Sequence, residues 1–239
     1  SNSSCTVTST GHFSGGLVGI STYDCEITKC YATGDVNGFF NSGGFIGYSR
    51  LCTIKDSYSK GHVSGESAIG GFIGVIQGGN EISNCLSTGQ VSLDVPGSPF
   101  VGGFYGYIAQ KPIVNCFFDS DVTGLPDQSG AIGLTTAQMK TQLSFPQYDS
   151  VSDTGWDFTT VWSFNDGKYP FLRRQVAALT SHTYGEVLGN VEETFSWADA
   201  GAESYRLFFG TSQGGRELFT KSAGNSLSLT IKGLPSDGS

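Results

Sequence analysis

Short apolar runs recur down the first half of the chain, each enclosed by glycine. Four of them read Gly-Gly-apolar-apolar-Gly: Gly15-Gly16-Leu17-Val18-Gly19, Gly43-Gly44-Phe45-Ile46-Gly47, Gly70-Gly71-Phe72-Ile73-Gly74 and Gly102-Gly103-Phe104-Tyr105-Gly106. A second pattern alternates with the first. It begins at an isoleucine (Ile27, Ile54, Ile82, Ile113), passes a small residue at Cys30, Ser57, Cys85 or Cys116, and ends at a valine (Val36, Val63, Val91, Val122). Isoleucine and valine both step by 27, then 28, then 31 residues. The longer third step coincides with a turn-rich stretch, Ser92 to Pro99. Two markers holding one period identify a stacked unit.

Each unit has room for about three short strands, none long enough to be stable alone. Coiling the chain so that equivalent strands lie about 4.8 Å apart pairs each backbone with the coils above and below. The predicted fold is therefore all-β: a parallel β-helix, right-handed by expectation, of ~27–31 residues per coil. Its interior would hold the ladders Leu17/Phe45/Phe72/Phe104, Ile27/Ile54/Ile82/Ile113 and Val36/Val63/Val91/Val122. A propeller is excluded, because its blades need about 40 residues each.

These units resemble the GLUG motif family, named for Gly-Leu-hydrophobic-Gly. Gly16-Leu17-Val18-Gly19 matches it outright, the next two copies carry Phe for Leu, and Gly103-Phe104-Tyr105-Gly106 is the loosest. The resemblance covers residues 1–124. It implies an origin in a large bacterial extracellular protein, such as an adhesin-like protein or a region attached to an immunoglobulin-A-cleaving peptidase. It implies no activity, since the motif consists of structural residues.

Beyond Gly124 the period stops. Residues 125–175 hold a short helix at Thr135-Thr136-Ala137-Gln138-Met139-Lys140, N-capped by Thr135 or Thr136, and then an aromatic series through Trp156, Trp162 and Tyr169. Such a segment is expected to cap the open end of the solenoid, where apolar ladders and strand edges would otherwise face water. Residues 179–239 alternate apolar and polar positions around Phe195-Ser196-Trp197, Tyr205 to Phe209 and Leu227 to Ile231. This resembles an incomplete fibronectin-III-like β-sandwich with Trp197 and Tyr205 in its core. The turn at Leu234-Pro235-Ser236-Asp237-Gly238 would precede that fold's last two strands, so either the native chain continues or another molecule donates a strand.

Charge narrows the partners. With 21 acidic against 13 basic residues the net charge is −8, so nucleic acid and anionic membrane are poor partners. No apolar run approaches the ~20 residues of a membrane span. No signal peptide is visible, and residue 1 falls inside a repeat. Glycine, serine and threonine richness with little charge fits an all-β exterior protein, and the GLUG resemblance implies a secreted or bacterial cell-surface location.

Several side chains invite a chemical reading. Cys25 and Cys52 each precede a ladder isoleucine by two residues, and Cys85 and Cys116 share another column. Neighbouring coils bring such pairs within disulfide range, and a ladder of small buried thiols is the other reading. Asp119, Asp121 and Asp127 open with calcium-loop spacing, but Gly130 stands where the closing Glu belongs, so a turn is expected. Tyr31 and Tyr58 recur in one column and could stack on glycans; aromatics beside a corner also pack inward. Lys60, His62 and Asp35 fall on one face, as in polysaccharide-cleaving β-helices, yet without an Arg clamp or second carboxylate. We expect no catalytic centre and no cofactor. The expected role is that of an extracellular stalk, matrix or filament component that adheres to glycan or host surface, or self-associates through a solenoid end. The alternative is a polysaccharide-binding or accessory region of a polysaccharide-degrading enzyme.

Overall fold

In a computed structural model of the 239-residue chain, the described residues are 1–109, 113–150, 154–165, 167–173, 181, 192–197, 205–209, 219–224 and 226–232. They fall into two compact units, Ser1–Arg173 and Arg174–Ser239.

The first unit is a parallel β-solenoid with four sheets running its length. Sheet A stacks Asn2–Ser3, Tyr31–Ala32, Tyr58–Ser59, Leu86–Ser87, Cys116–Asp119 and Ala131–Leu134. Sheet B stacks Val7–Thr8, Val36–Asn37, Val63–Gly65 and Val91–Leu93, and sheet C stacks His12–Gly15, Phe40–Gly43, Ser67–Gly70 and Val101–Gly102. Sheet D carries the long strands Val18–Thr28 and Ile46–Lys55, followed by the split pairs Ile73–Gln77 with Glu81–Ser83 and Tyr105–Ile108 with Ile113–Val114.

Like residues meet in register. Ile27 pairs with Ile54, Ile54 with Ile82, and Ile82 with Ile113, all parallel. Val36, Val63 and Val91 form a second ladder, extended downward by Val7. Phe45, Phe72 and Phe104 stack with centroids 4.7 and 4.9 Å apart, close to the spacing between strands. All three phenylalanines are fully buried, with Leu17 partly buried beside them.

The glycine pair follows from how closely the walls approach at this corner. A Cβ on Gly43 would lie 2.1 Å from the Ile46 carbonyl oxygen. One on Gly44 would lie 2.3 Å from the Gly71 carbonyl oxygen and 3.1 Å from Ser59 Cβ. The extra residues of the third step are indeed in the loop after Val91. Val63 pairs with Val91, 28 residues on, whereas Ile69 pairs with Val101, 32 residues on.

Two expectations are corrected. Val122 does not join the valine ladder; it lies in a short helix, Ser120–Thr123, and is 36% exposed. Asp119 N-caps that helix through the Val122 N–H, and Gly124 ends it in the left-handed conformation, so the fourth coil never enters sheet B. Leu125 packs against the valine ladder instead.

The aromatic part of residues 125–175 does not sit on the solenoid end. It runs along the outer face of sheet A, where Tyr58, Leu86 and Phe117 are buried under Met139, Phe145, Trp156 and Trp162. Trp162 Nε1 donates to Asp56 and Trp156 Nε1 to the Asn115 carbonyl, at 3.1 and 3.0 Å, so the strap spans from the second coil to the fourth. It begins at the helix Thr136–Met139, N-capped by Thr135 in a capping box with Gln138. The end is finished by the first part of the same segment, as expected of residues 125–175. Ala131–Leu134 adds a sixth strand to sheet A. The Gln128 amide accepts from the Phe104 and Tyr105 N–H groups and donates to the Tyr105 carbonyl, imitating the peptide of a further coil.

In the second unit Glu192–Ser196 pairs antiparallel with Ser228–Lys232, and Tyr205–Phe209 with Phe219–Gly224. Phe195, Trp197 and Ile231 are buried. The stretch Leu234 to Gly238 and the side chain of Tyr205 lie outside the described residues.

Candidate functional site

Four equivalent corners leave sheet D after each ladder isoleucine. Lys29, Asp56, Asn84 and Asn115 occupy them with φ between 48° and 53°, a left-handed conformation that Asn and Asp tolerate best. The next residue closes each corner by donating back to the carbonyl two positions earlier. Cys30 bonds Thr28, Ser57 bonds Lys55, Cys85 bonds Ser83 and Cys116 bonds Val114, at 3.1, 2.8, 3.2 and 3.4 Å. The Cys/Ser column is therefore selected for a small side chain with one donor. All six cysteines are free thiols, and Cys85 is fully enclosed, its thiol pushed up by burial and then by Cys116.

A second kind of corner bends sheet D between its halves, and coils differ there in length. Tyr23 and Asp24, Leu51, and Gly78 and Gly79 take it with positive φ. Cys52 S–H donates to the Arg50 carbonyl across Leu51. Buried Asn80 holds the third coil: its Oδ1 accepts from Ser49 Oγ and the Cys52 N–H, and its Nδ2 donates to the Ser49 and Gln77 carbonyls. Ser21 Oγ donates to Ser49 Oγ, which completes a polar file inside the wall. Asn80 lies outside the repeating motif; the Gly78-Gly79 pair before it is the local signal of a corner.

The predicted site residues are distributed as follows. Tyr31 and Tyr58 stack with centroids 4.9 Å apart, only 3° from parallel. Tyr58 is 5% exposed beneath the strap, with Trp162 at 6.1 Å, so it offers no open face to a sugar. Lys60 lies 5.0 Å over the Tyr58 ring, and burial lowers its pKa. The Asp35 carboxylate accepts from the His62 N–H, and the His62 ring reaches Ser92 in the next coil. Both contacts run along the stack and hold neighbouring coils together.

The acidic trio is taken up by the strap and the loop before it. Asp119 is fully buried and accepts from the Val122 N–H, from Thr136 Oγ1 at 2.8 Å and from the Tyr169 hydroxyl at 2.6 Å. Burial, and then that Asp119 contact, pushes the Tyr169 hydroxyl up to about 12. Asp121 accepts from the Thr136 N–H and Asp127 from the Gly133 N–H. The three carboxylates tie chain segments together and do not converge on one point.

An open aromatic surface lies elsewhere, on sheets C and D. Ile20, Tyr48, Val75 and Tyr107 align across the coils in register, with Ile20 53% and Tyr107 42% exposed. Phe13 and Phe100 stand edge-on to Tyr48 and Tyr107, at 5.4 and 5.3 Å. Beside this row the Arg50 guanidinium lies over the Tyr23 ring, and Tyr23 is 62% exposed. Tyrosine recurs in the row only on alternate coils, at Tyr48 and Tyr107, so residue identity does not mark it. Alternation does: each member stands two residues after the apolar residue that enters the core.

Fold and surface define a repeat-type β-solenoid. The GLUG motif family matches residues 14–37, the first glycine pair through the first valine. The chain is also 31% identical over 94 residues to a Gly-rich membrane protein of Evansella cellulosilytica, a match covering 38% of this chain and 10% of that one. The matched part is thus about a tenth of that protein's length. No solved structure matches the chain. Among the described residues no helix is long and apolar enough to cross a membrane.

Proposed function

We propose that this chain is a non-catalytic structural and adhesive segment of a bacterial surface protein, presenting the aromatic row of sheets C and D on a rigid stalk. The observation that carries this reading is the row itself: Ile20, Tyr48, Val75 and Tyr107 held in register by a backbone ladder over four coils, with Phe13 and Phe100 edge-on to the two tyrosines. Inward positions are spent on ladders, and the polar ones described above mostly bond neighbouring coils. Tyrosine presents an apolar face and a hydroxyl together, which suits a surface of sugars or partly apolar protein. The GLUG match supports a repeat-type structural role, and the low charge supports an exterior location. The two antiparallel pairs among the described residues of the second unit, Glu192–Ser196 with Ser228–Lys232 and Tyr205–Phe209 with Phe219–Gly224, support a partial fibronectin-III-like sandwich.

A second reading, a polysaccharide-binding module of a larger enzyme, is favoured by the same row, since a surface running over several coils suits a polymer more than a single sugar. Binding of the whole chain to arrayed glycans and to immobilised host matrix proteins tests both. Loss of binding in Tyr48→Ala and Tyr107→Ala, with circular dichroism unchanged, is expected. Retained affinity in both variants would remove the row as the contact surface. Selective capture of long polysaccharides would favour the second reading.

A further inference from the structure

We propose that Cys25 and Cys52 are an oxidisable pair that locks the first two coils together, and that the acidic rim around them selects which oxidant can do so. The proposal goes beyond the adhesive reading and does not depend on it.

The two residues are direct register partners on parallel strands of sheet D. Both side chains line one cleft, and Cys52 S–H is turned to the Arg50 carbonyl. Neighbouring parallel strands about 4.8 Å apart fall inside the Cα range that a disulfide spans. The pair also sits at a weak point of the wall. The register of the two strands shifts between Thr22 and Cys25, where Tyr23 and Asp24 oppose Leu51 alone. A covalent link there would restore continuity where the backbone ladder is broken.

Access separates this pair from the other one. Cys85 is wholly enclosed and Cys116 is buried, so no reagent reaches them. Cys25 is only partly buried, and both it and Cys52 line an open cleft at the sheet bend. Asp24, Glu26 and Glu81 line the same cleft, and all three are exposed. Their charges repel an anionic disulfide and attract a cationic one.

The reaction consumes one small disulfide, RSSR. Cys25 loses its proton to solvent and its thiolate attacks one sulfur of RSSR, giving a Cys25–SR mixed disulfide and expelling RS⁻, which is protonated. Cys52, as thiolate, then attacks Cys25 Sγ and expels the second RS⁻. Two protein thiols are oxidised by two electrons to one cystine, and RSSR is reduced to two RSH. Burial, and then the neighbouring Cys52, holds the Cys25 thiol above its ordinary range. Oxidation is therefore slow at neutral pH and accelerates close to tenfold per pH unit towards 9.

The test treats the whole chain with cystamine or oxidised glutathione, then alkylates the remaining thiols and maps peptides without reduction. A Cys5→Ser background keeps the Cys25 peptide unambiguous. Expected are a Cys25–Cys52 link, Cys85 and Cys116 recovered reduced, and cystamine reacting severalfold faster than oxidised glutathione at low salt. That advantage should shrink at about 1 M salt, where charges are screened within ~3 Å. Cys52→Ser should stop at one cysteamine adduct on Cys25. Recovery of both thiols reduced from chain that circular dichroism shows to be folded, or linkage of Cys25 to any other cysteine, would overturn the pair. Equal rates with the two oxidants would overturn the selecting rim.

Discussion

Ser57 shows how one atom can be required by the repeat. Its Oγ donates to the Lys55 carbonyl and accepts from the Cys30 N–H of the coil below, and it is fully buried. Ser57→Ala would leave a buried N–H unpaired, which costs about 1–3 kcal/mol. Urea denaturation should read that loss, while Ser57→Cys, the residue found at the same corner in three other coils, should lose less. Its neighbour Asp56 carries an avoidable cost. Burial raises its pKa, opposed by the bonds from Trp162 and Asn84. A carboxyl whose folded pKa is raised contributes its stability below the unfolded value, near 4, and loses it as pH rises through the folded one. Asp56→Asn keeps an acceptor for Trp162 and the left-handed corner that Asn84 and Asn115 already occupy. The variant should be more stable than the parent at pH 7 and equal to it at pH 3, read from denaturation midpoints at the two pH values.

At the scale of elements the strap matters most. Sheet A turns Tyr31, Tyr58, Leu86 and Phe117 outward as a stripe of apolar side chains, and unprotected it would face water. Trp156 and Trp162, 4.4 Å apart and fully buried, cover it. Trp162→Ala should cost about 3–5 kcal/mol and expose Tyr58, seen as a lower thermal midpoint and increased binding of an apolar dye. The aromatic richness of residues 125–175 made a covering element legible. Its destination was not, because a stripe along one flank and an exposed end both call for aromatic cover. The decisive contacts, Trp162 to Asp56 and Trp156 to Asn115, join residues with no sequence relation.

Over the whole molecule, the strap belongs to the same compact unit as the coils, and the boundary falls after Arg173. Chain 1–173 expressed alone should therefore fold, with the far-ultraviolet dichroism and cooperative transition of a parallel β-solenoid. Failure of that fragment to fold would mean the second unit is needed for its stability. Within the unit, cooperativity should be high, since each coil's backbone groups bond to the coils on either side.

Periodic features were readable from residue order, because a ladder repeats its own side chain each time the backbone returns. The isoleucine file, the phenylalanine stack, the glycine corners and the loop after Val91 all follow from that return. Even the left-handed corners left a trace, as Asp56, Asn84 and Asn115 each stand two residues past a ladder isoleucine. Where the chain leaves the period, three-dimensional competition took over. Val122 continues the spacing, yet Asp119 draws the chain into a helix by capping it. Gln128 finishes the stack by presenting an amide to a coil 23 and 24 residues earlier, and Tyr58 is buried by a segment more than 100 residues away. Such contacts depend on which surfaces are left uncovered once the coils have formed, and linear spacing carries no record of that.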